Sequence, residues 1–573
     1  MWTFSVLVLP LLVQLQLNET LVKLEEERPF RTLLILKHSQ NRENFETIPL
    51  KSGHPVLRIS EQDKYPLTFI YNNEMVALIY INRNMVRNIE LWLALDKSLH
   101  NMRHVRLMFI IQEQKQLEFI AQMAEEMKFL HVVAILGKTI YRLKPFCVQN
   151  RWQLVRDGFI YTKVNDYQGN LLLTLPDQFP PRSLVYYDKE RRHLQATGYV
   201  TKLIEEFVRR YNITMRWERS IQPGRQLSLI LLRNMTLNQT ICLPLSLCGY
   251  EAPSEMGVFS YPYDFSKWFI MVPCAQEIPT AEVYIVICSL KLLAVLIGCY
   301  FIFALLDSCF GWLLLGKKFN WSSNLWFNER LIAGMIGQSF KLNAHNMLSS
   351  RVTHALLFLL GLVISTLYAA HLKTLLTKRP SQREIATFQD LRDRHDVSIY
   401  FDEAERFYLN MFDGARPMDT IRSRINYRQT KEFLALRNRL NRSRAFSTSA
   451  GEWLITAKRQ ELLEKPFHCS HTGLIIGNFI LLSVPMQANS IYERPLNRLI
   501  HRVHTTGLLG HWKQQTLRKM TELGEISLKD PFHYKKFHEF KVADLAWVGL
   551  CLMTGLMLGI ITFVIEILFA RRS

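Results

Sequence analysis

The chain has 573 residues and a formal net charge of +20, with 49% hydrophobic and 21% charged residues. This length allows several domains, and the composition indicates that soluble and membrane-embedded parts alternate. The basic residues are scattered instead of forming one stripe, which argues against nucleic-acid binding. No nucleophile stands beside a base, no glycine-rich loop suits phosphate, and no Cys or His spacing fits a zinc site. We therefore expect a protein that is not an enzyme and uses no metal or cofactor.

The chain begins with an apolar stretch over residues 2–17, and an acidic run follows at residues 25–27. This pattern is typical of a secretory signal peptide over residues 1–20, cleaved between Leu17 and Thr20. No Lys or Arg precedes the apolar stretch and no small residues mark a cleavage site, so a retained membrane anchor is the alternative. We expect residues 21–181 to form a short extracellular N-terminal region.

Three apolar stretches are long enough to cross a membrane as helices, which takes about 20 residues each. They cover residues 283–306, 352–372 and 545–569. A weaker patch at residues 324–340 is too short and is interrupted by charged residues. Such a patch fits a re-entrant pore loop that lines a water-filled cavity, and a cytosolic amphipathic segment is the alternative.

Lys291 interrupts the first apolar stretch, where a charge costs roughly 2.5–3.5 kcal/mol at the membrane centre. Either the span starts later and the side chain reaches the interface, or Lys291 faces a water-filled crevice or a partner helix. A later start moves Asp307 toward the membrane instead. We favour an amphipathic collar over residues 282–290 ahead of the span.

Glycosylation sequons and basic residues set the expected topology. Five of the six sequons precede the first span or follow the second, and only Asn320 lies between those two spans. Glycans are added on the lumenal side, so we expect the N-terminus and the long loop after the second span outside the cell. Arg571 and Arg572 fit a cytoplasmic tail. The residues expected to carry glycans are Asn212, Asn234, Asn238 and Asn441.

Five cysteines are expected outside the membrane. Because five is odd, at least one of them is unpaired or is bonded to a partner. The spacing leaves the pairing among them open. They are Cys147, Cys242, Cys248, Cys274 and Cys469.

The order of segments suggests one extracellular domain that the membrane helices divide in two. Its first segment covers residues 182–281 and its second segment covers residues 378–543. Between them we expect a first membrane helix at 282–306, cytoplasmic linkers and the pore loop at 307–351, and a second membrane helix at 352–377. A third membrane helix follows at 544–570, and a cytoplasmic tail at 571–573.

Two helices inside this divided domain are predicted from local pattern. Residues 198–214 place apolar side chains at helical spacing. After residue 483, Ser490 suits a helix N-cap and Gly507 suits the end of the same helix. The expected buried residues are Leu203, Ile204, Phe207 and Val208 in the first helix, and Leu496, Leu499, Ile500 and Val503 in the second.

The sequence LYAAHLKTLLT at residues 367–377 resembles SYTANLAAFLT, the signature at the outer end of the gate helix in ionotropic glutamate receptors. The matching residues are Tyr368, Ala370, Leu372, Leu376 and Thr377. The departures are Leu367, Ala369, His371, Lys373 and Thr374. The resemblance implies that this helix is a channel gate, with Tyr368, Ala370 and Leu372 as gate residues.

Further matches follow in the family's order. Residues 198–214 resemble the helix that opens the binding domain, FSYPY at 259–263 resembles the FSxPF/Y strand, and residues 483–516 resemble the closing segment. The chain thus resembles a divergent insect chemosensory ionotropic receptor over residues 195–569. The resemblance implies an α/β extracellular bilobed, periplasmic-binding-protein-like ligand-binding domain. An all-α ion-channel domain with three membrane-spanning helices and a re-entrant pore loop would split it.

The resemblance also locates the two charged residues that hold glutamate in the family. The arginine for the ligand carboxylate falls at Pro253, and the acid for the ammonium falls at Thr456. Losing a charge-assisted contact costs on the order of 1.5–3 kcal/mol, so we expect that this chain does not use glutamate as its ligand. The candidate residues for the wall of the ligand cleft are Tyr250, Glu251, Tyr261, Tyr263, Trp453, Thr456 and Lys458.

NLWF at residues 324–327 resembles the start of the family's pore helix, and Gln338 falls at the pore tip. The alternative is that Gln338 only caps a helix. The resemblance implies a ligand-gated nonselective cation channel subunit of taste or odour type. It would act in the plasma membrane of a sensory neuron, as a homo- or hetero-tetramer with a co-receptor and a small-molecule ligand. A non-conducting ligand-binding or adhesion-type receptor on the same scaffold is the alternative.

Overall fold

The computed structural model describes the greater part of the chain, and the description below covers those residues alone. They are residues 17–39, 53–68, 74–83, 85–147, 149–156, 158–161, 164–246, 248–249, 258–278, 290–315, 328–340, 348–377, 380–403, 405–406, 409, 416–439, 441, 443–461, 468–526 and 546–570.

The N-terminal unit is a seven-stranded sheet with the strand order β2-β1-β3-β4-β5-β6-β7. Strands β1 to β5 pair in parallel, and β6 and β7 are antiparallel. The central strands are buried along their whole length, as expected of a parallel sheet covered on both faces. The strands are β1 (Thr32–Leu36), β2 (Val56–Ile59), β3 (Met75–Tyr80), β4 (Arg106–Ile111), β5 (Val132–Leu136), β6 (Thr139–Leu143) and β7 (Trp152–Val155).

Helices cover both faces of this sheet. Because successive strand residues point to opposite faces, Leu34 of β1 packs in the core with α2 (Met85–Ser98) and α3 (Gln116–Glu126). Leu33 faces the other side, where Leu17 from the helix α1 (17–27) is also buried. The predicted cleavage region between Leu17 and Thr20 thus lies within a helix that packs against the sheet.

The second unit combines chain segments from both sides of the first two membrane helices. One of its cores joins α4 (Tyr199–Arg210) with α12 (Glu493–Thr506) and α13 (Leu508–Glu522). The predicted face of α4 is confirmed, with Val208 half-buried and its other three members fully buried. The predicted face of α12 is buried, and Gly507 ends that helix with φ of 70°. Two strand pairs flank this core: β8 (Leu171–Thr174) with β11 (Thr214–Trp217), and β9 (Leu184–Asp188) with β10 (His193–Thr197).

A six-stranded sheet is shared between the two segments of this unit, with the order β12-β17-β13-β16-β14-β15. Strands β12 and β13 precede the first membrane helix, and the other four follow the second. A disulfide between Cys274 and Cys469 joins the two segments beside this sheet. The strands are β12 (Cys248–Gly249), β13 (Asp264–Pro273), β14 (Ser398–Asp402), β15 (Ile425–Arg428), β16 (Arg444–Ser449) and β17 (His468–Ser483).

Three of the remaining helices of this unit pack on the shared sheet, and the fourth packs through Leu232 with Leu175 and Ile241. Two 3-10 turns (Arg416–Thr420 and Arg422–Arg424) precede β15. Strand residues Ile270 and Ile399 are fully buried in a second core beneath it. The helices are α5 (Leu229–Leu237), α9 (Phe388–Asp393), α10 (Thr430–Asn438) and α11 (Ala450–Glu461).

Three helices are long and apolar enough to cross a membrane: α6 (Leu290–Leu315), α8 (Leu348–Thr377) and α14 (Ala546–Ala570). The second and third agree closely with the predicted spans, and α8 ends at Thr377. Among the described residues, the apolar window of α6 is Leu293–Phe310, which extends beyond the predicted end at 306, and residues 283–289 of the predicted span lie outside the described residues. The collar predicted over residues 282–290 lies outside the described residues except for its last residue.

The apolar window of α6 includes Asp307. A carboxyl group at membrane depth needs a polar partner. The Asn328 amide provides one, since its Nδ2 donates to Asp307 Oδ2 at 3.3 Å. Asn328 also donates its backbone N–H to the Tyr300 hydroxyl and caps the short helix α7 (Glu329–Met335). This polar group fixes the start of α7 against α6.

Candidate functional site

The polar side chains of the second unit concentrate where its two cores meet. Strands β14 and β16 are parallel neighbours, so their carboxyl ends open on the same sheet edge. Asp402 ends β14, and Ser449 ends β16 where α11 begins. Arg182, which precedes β9, faces this edge from the other core. We name the group the Arg182–Glu452 cluster; it consists of Asp177, Arg182, Tyr199, Tyr263, Arg437 and Glu452.

Arg182 is held in place by a buried acid and an aromatic ring. Its Nε lies 3.1 Å from Oδ2 of Asp177, which is fully buried, and its guanidinium carbon is 4.6 Å from the centre of the Phe179 ring. Burial would lower the pKa of Arg182, but the charge of Asp177 and then Tyr199, Glu452 and Tyr263 raise it. The guanidinium is therefore a fixed positive charge.

The backbone around Arg182 is fixed by the start of α4. Val200 donates its N–H to the Arg182 carbonyl at 3.2 Å, and Tyr199 donates to the Pro181 carbonyl at 3.3 Å. Gly198, with φ of 136°, allows this approach, because a Cβ atom there would lie 2.0 Å from the Arg182 oxygen. Any side chain at Gly198 would displace the segment that carries Arg182.

Glu452 faces Arg182 from the first turn of α11. It accepts hydrogen bonds from Arg437 Nη1 at 3.0 Å and from the Ser449 N–H at 3.1 Å. Burial would raise the pKa of Glu452, but Arg437 and Arg182 lower it below its usual value. Glu452 is thus an ionised carboxylate paired with one arginine and attracted by a second from across the cluster.

Two tyrosines complete the Arg182 side of the cluster. Tyr199 and Tyr263 are fully buried, and their ring centres are 6.4 Å apart. Burial raises the pKa of both hydroxyl groups. The Tyr263 hydroxyl lies near Tyr199 and Arg182, yet it has no hydrogen bond of good geometry among the described residues.

Two more carboxyl groups, those of Glu405 and Asp402, lie near Glu452 at the same sheet edge. Glu405 accepts a hydrogen bond from the Ser447 hydroxyl and one from the Asp402 N–H at 3.2 Å. Burial, together with the nearby charges of Glu452 and Asp402, raises the pKa of Glu405 to about 8 against the lowering effect of its hydrogen bonds. Among the described residues, no three His, Cys, Asp or Glu side chains are placed to hold a metal ion.

The predicted cleft residues are only partly brought together. Tyr263 joins the cluster. On α11, Trp453 directly follows Glu452 and Thr456 lies one turn beyond it. Trp453 contacts the Phe269 ring, and Thr456 is buried. Lys458 is exposed and pairs with Glu461, while Tyr261 is 53% exposed against His501. Tyr250 and Glu251 lie outside the described residues.

Sequence reasoning missed Arg182 and Glu452. The acid expected at Thr456 stands one helical turn earlier on the same helix, as Glu452. A local signal was present, because Ser449 and Glu452 form the S-x-x-E pattern of a capping box, with Glu452 donating its N–H to the Ser449 hydroxyl at 3.4 Å. No comparable signal marks Arg182, which lies far from residue 452 in sequence.

The predicted pore segment packs between membrane helices. The core around α7 contains Leu331 and Met335 of α7, Ala304 of α6 and Leu357 of α8. Gly337 has φ of 76° and ends the helix, and the next residue, Gln338, is exposed and donates its N–H to the Ala333 carbonyl. Residues 324–327 lie outside the described residues.

The predicted gate residues lie in the last turns of α8. Tyr368 and Ala370 are exposed and Leu372 is half-buried. Just beyond the helix end, Ser381 forms an antiparallel bridge with Glu277 of the segment that leads into α6. Ile278 donates its N–H to the Pro380 carbonyl at 2.9 Å, and Gln382 donates to the Gln276 carbonyl at 2.8 Å.

The four asparagines expected to carry glycans are all exposed: Asn212, Asn234, Asn238 and Asn441. The sequon residue Asn320 lies outside the described residues. Among the cysteines expected outside the membrane, Cys274 pairs with Cys469, and Cys147 and Cys242 are free thiols.

No protein-family model matches the chain, and no curated protein matches it. The functional proposal therefore rests on the fold and on the Arg182–Glu452 cluster. They define a membrane protein with mixed α/β units and three candidate membrane-spanning helices.

Proposed function

We propose that this protein is a subunit of a ligand-gated nonselective cation channel of the chemosensory ionotropic receptor type. One observation carries the proposal. The segments before α6 and after α8 fold into one unit, with shared cores, a shared sheet and the Cys274–Cys469 disulfide. A membrane pair inserted into one folded unit is the arrangement that a ligand-driven gate requires.

The proposed mechanism couples the Arg182–Glu452 cluster to α8. The two cores of the second unit would act as two lobes that close on a small molecule bound between them. Closure would move the Glu277–Ser381 bridge, which joins the segments that enter α6 and leave α8. Because only residues 378–380 separate the bridge from Thr377, this motion would pull the outer end of α8 outward and open the gate.

The pore would be lined by the segment at the end of α7. Its exposed amide Gln338 follows the helix end, and four such amides would form a neutral ring in a tetramer. A neutral ring passes small cations with little discrimination by charge. The arrangement thus supports a nonselective cation pathway in the plasma membrane, with the N-terminal and second units outside the cell.

A non-conducting receptor on the same scaffold is the second candidate function. Lys373 favours it, because this exposed cation lies on the outer end of α8, where the proposed gate opens. Four copies in a homotetramer would repel entering cations. A hetero-tetramer with a co-receptor of the same type reduces that repulsion, and we therefore propose the heteromeric assembly.

Current recording tests the proposed function. The full chain is expressed in cells alone and with candidate co-receptor subunits, and a panel of tastants and odorants is applied under voltage clamp. We expect cation currents in at least one pairing, reversing near 0 mV as expected of a nonselective pore. A chain that reaches the surface and binds a ligand but passes no current in any pairing would establish the non-conducting receptor.

A further inference from the structure

The guanidinium of Arg182 has bonding capacity that the protein does not use. Its only ion pair joins Nε to Asp177, and in the part of the chain that the structure describes its two terminal nitrogens have no hydrogen-bond partner. The side chain is 15% exposed, so Arg182 is not sealed from solvent. A planar guanidinium with both terminal nitrogens open is suited to bidentate binding of a carboxylate.

The nearby acid does not fill this position. Glu452 is engaged by Arg437 and by the Ser449 N–H, and its influence on Arg182 is through-space attraction without a hydrogen bond. The fully buried Tyr263 hydroxyl, whose contact with Tyr199 falls short of a well-formed hydrogen bond, lies on the Arg182 side and offers one more donor. The two terminal nitrogens of Arg182 thus lack an acceptor among the described residues.

The same charges disfavour an ammonium group. Arg182 and Arg437 flank Glu452, which already has Arg437 as its partner. An amine placed beside Arg182 would meet two fixed positive charges, and the α11 carboxylate among the described residues there is already paired. The cluster thus differs from a site that binds both ends of an amino acid.

We infer that Arg182 binds the anionic group of the ligand, and that the cluster accepts a small organic carboxylate without an ammonium group. This inference rests on the proposed function, because it takes the cluster as the ligand site of the receptor. It assigns the anion-binding role to a residue that precedes β9, on a different segment from Pro253.

Thermal unfolding of the detergent-purified full chain tests the inference without requiring a current. The probes are straight-chain carboxylates from acetate to hexanoate, primary amines of the same lengths, and L-glutamate, each titrated at neutral pH. We expect at least one carboxylate to raise the melting temperature in a saturable manner, and the matched amine and glutamate to have no effect. Stabilisation by the amines equal to that by the carboxylates would overturn the inference.

Variants of Arg182 and Tyr263 test where the carboxylate binds. Arg182→Gln should weaken carboxylate binding about tenfold or more, as expected for one charge-assisted contact, and Arg182→Lys should retain part of it. Tyr263→Phe should weaken binding severalfold without lowering the melting temperature of the unliganded chain. The control Arg209→Gln removes an exposed arginine of α4 and should leave binding unchanged. Wild-type carboxylate affinity in both Arg182→Gln and Tyr263→Phe would contradict the assignment.

The two proposals fail separately. Carboxylate binding that depends on Arg182, together with an absence of current in every pairing, would refute the channel and leave the ligand class standing. Currents evoked by other compounds, together with no carboxylate binding, would refute the ligand class and leave the channel standing.

Discussion

Glu277 and Ser381 form an antiparallel β-bridge, although the first two membrane helices separate them in sequence. Hydrogen bonds on either side of the bridge, from Ile278 to Pro380 and from Gln382 to Gln276, tie the entering and leaving segments together. In the proposed mechanism, a displacement of the second unit would be passed to α6 and α8 jointly through these bonds, so mutations at the bridge test that mechanism.

Removing one hydrogen bond of the bridge should weaken the coupling. Gln382→Pro deletes the N–H that donates to the Gln276 carbonyl, while residue 381 keeps the extended conformation that proline favours before it. The loss of one hydrogen bond, worth about 0.5–1.5 kcal/mol, should raise the half-activating ligand concentration roughly 2- to 10-fold. Concentration–response curves of the current measure it. Gln382→Ala keeps the N–H, and an equal shift in that variant would show that the backbone bond is not responsible.

The Cys274–Cys469 disulfide should stabilise the second unit, and the loss of either cysteine should cost as much as the loss of both. Cys274→Ser, Cys469→Ser and the double variant remove the same link, so we expect equal destabilisation in all three, on the order of 2–4 kcal/mol. Melting temperatures of the purified chain give the comparison, and Cys147→Ser, which removes a free thiol, is the control. Additive losses in the double variant would mean that the two cysteines act independently.

The packing of α7 on α8 depends on a glycine pair. A Cβ atom at Gly361 would lie 1.9 Å from the Gly334 carbonyl oxygen, so Gly361→Ala must push α7 away from α8. We expect the ligand-evoked current to be lost while ligand binding is retained. Gly555→Ala on α14 meets nothing within 4 Å and should conduct normally. A wild-type current from Gly361→Ala would contradict the placement of α7 beside the pore.

Glu405 should make stability depend on pH. Burial raises its pKa from 4.5 to about 8 in the folded chain, so the folded state retains a proton that the unfolded state has lost. The free energy of unfolding should therefore fall between about pH 4.5 and 8, by at most about 1.4 kcal/mol per pH unit, and level off above pH 8. Melting temperatures measured from pH 5 to 8 report this slope.

The variant Glu405→Gln should flatten the slope, because it fixes the side chain in a neutral form. Glu403→Gln, which changes an exposed neighbour, should keep the slope. A slope that survives in Glu405→Gln would assign the pH dependence to another group.

The sequence predicted what is set by local pattern. Gly507 ends α12 where expected, and the predicted apolar face of α4 is buried, because a left-handed glycine and apolar periodicity act over a few residues. The Cys274–Cys469 pair lies outside such reasoning, since its members are 195 residues apart. Arg182 was missed for the same reason. Arg182 lies near Glu452 only once strands from both sides of the first two membrane helices have paired in the shared sheet.

The end of the first membrane helix shows what the hydropathy of one stretch leaves out. Hydropathy alone ended the first span at residue 306. The structure extends the apolar window of α6 to Phe310, which brings Asp307 within it. A carboxyl group is tolerated there because Asn328 donates to it, and a partner 21 residues away is not visible in the hydropathy of a single stretch.

The divalent permeability of a Gln338→Arg variant tests the central claim most directly, because only a chain that lines the pore can change the ion selectivity of the current. The variant is expressed in the pairing that conducts, and the reversal potential is measured with a divalent cation as the external charge carrier. We predict a negative shift relative to the wild type, with Gln338→Asn unchanged because it keeps the neutral amide. An unchanged reversal potential in Gln338→Arg, at normal surface expression and current, would contradict the pore assignment.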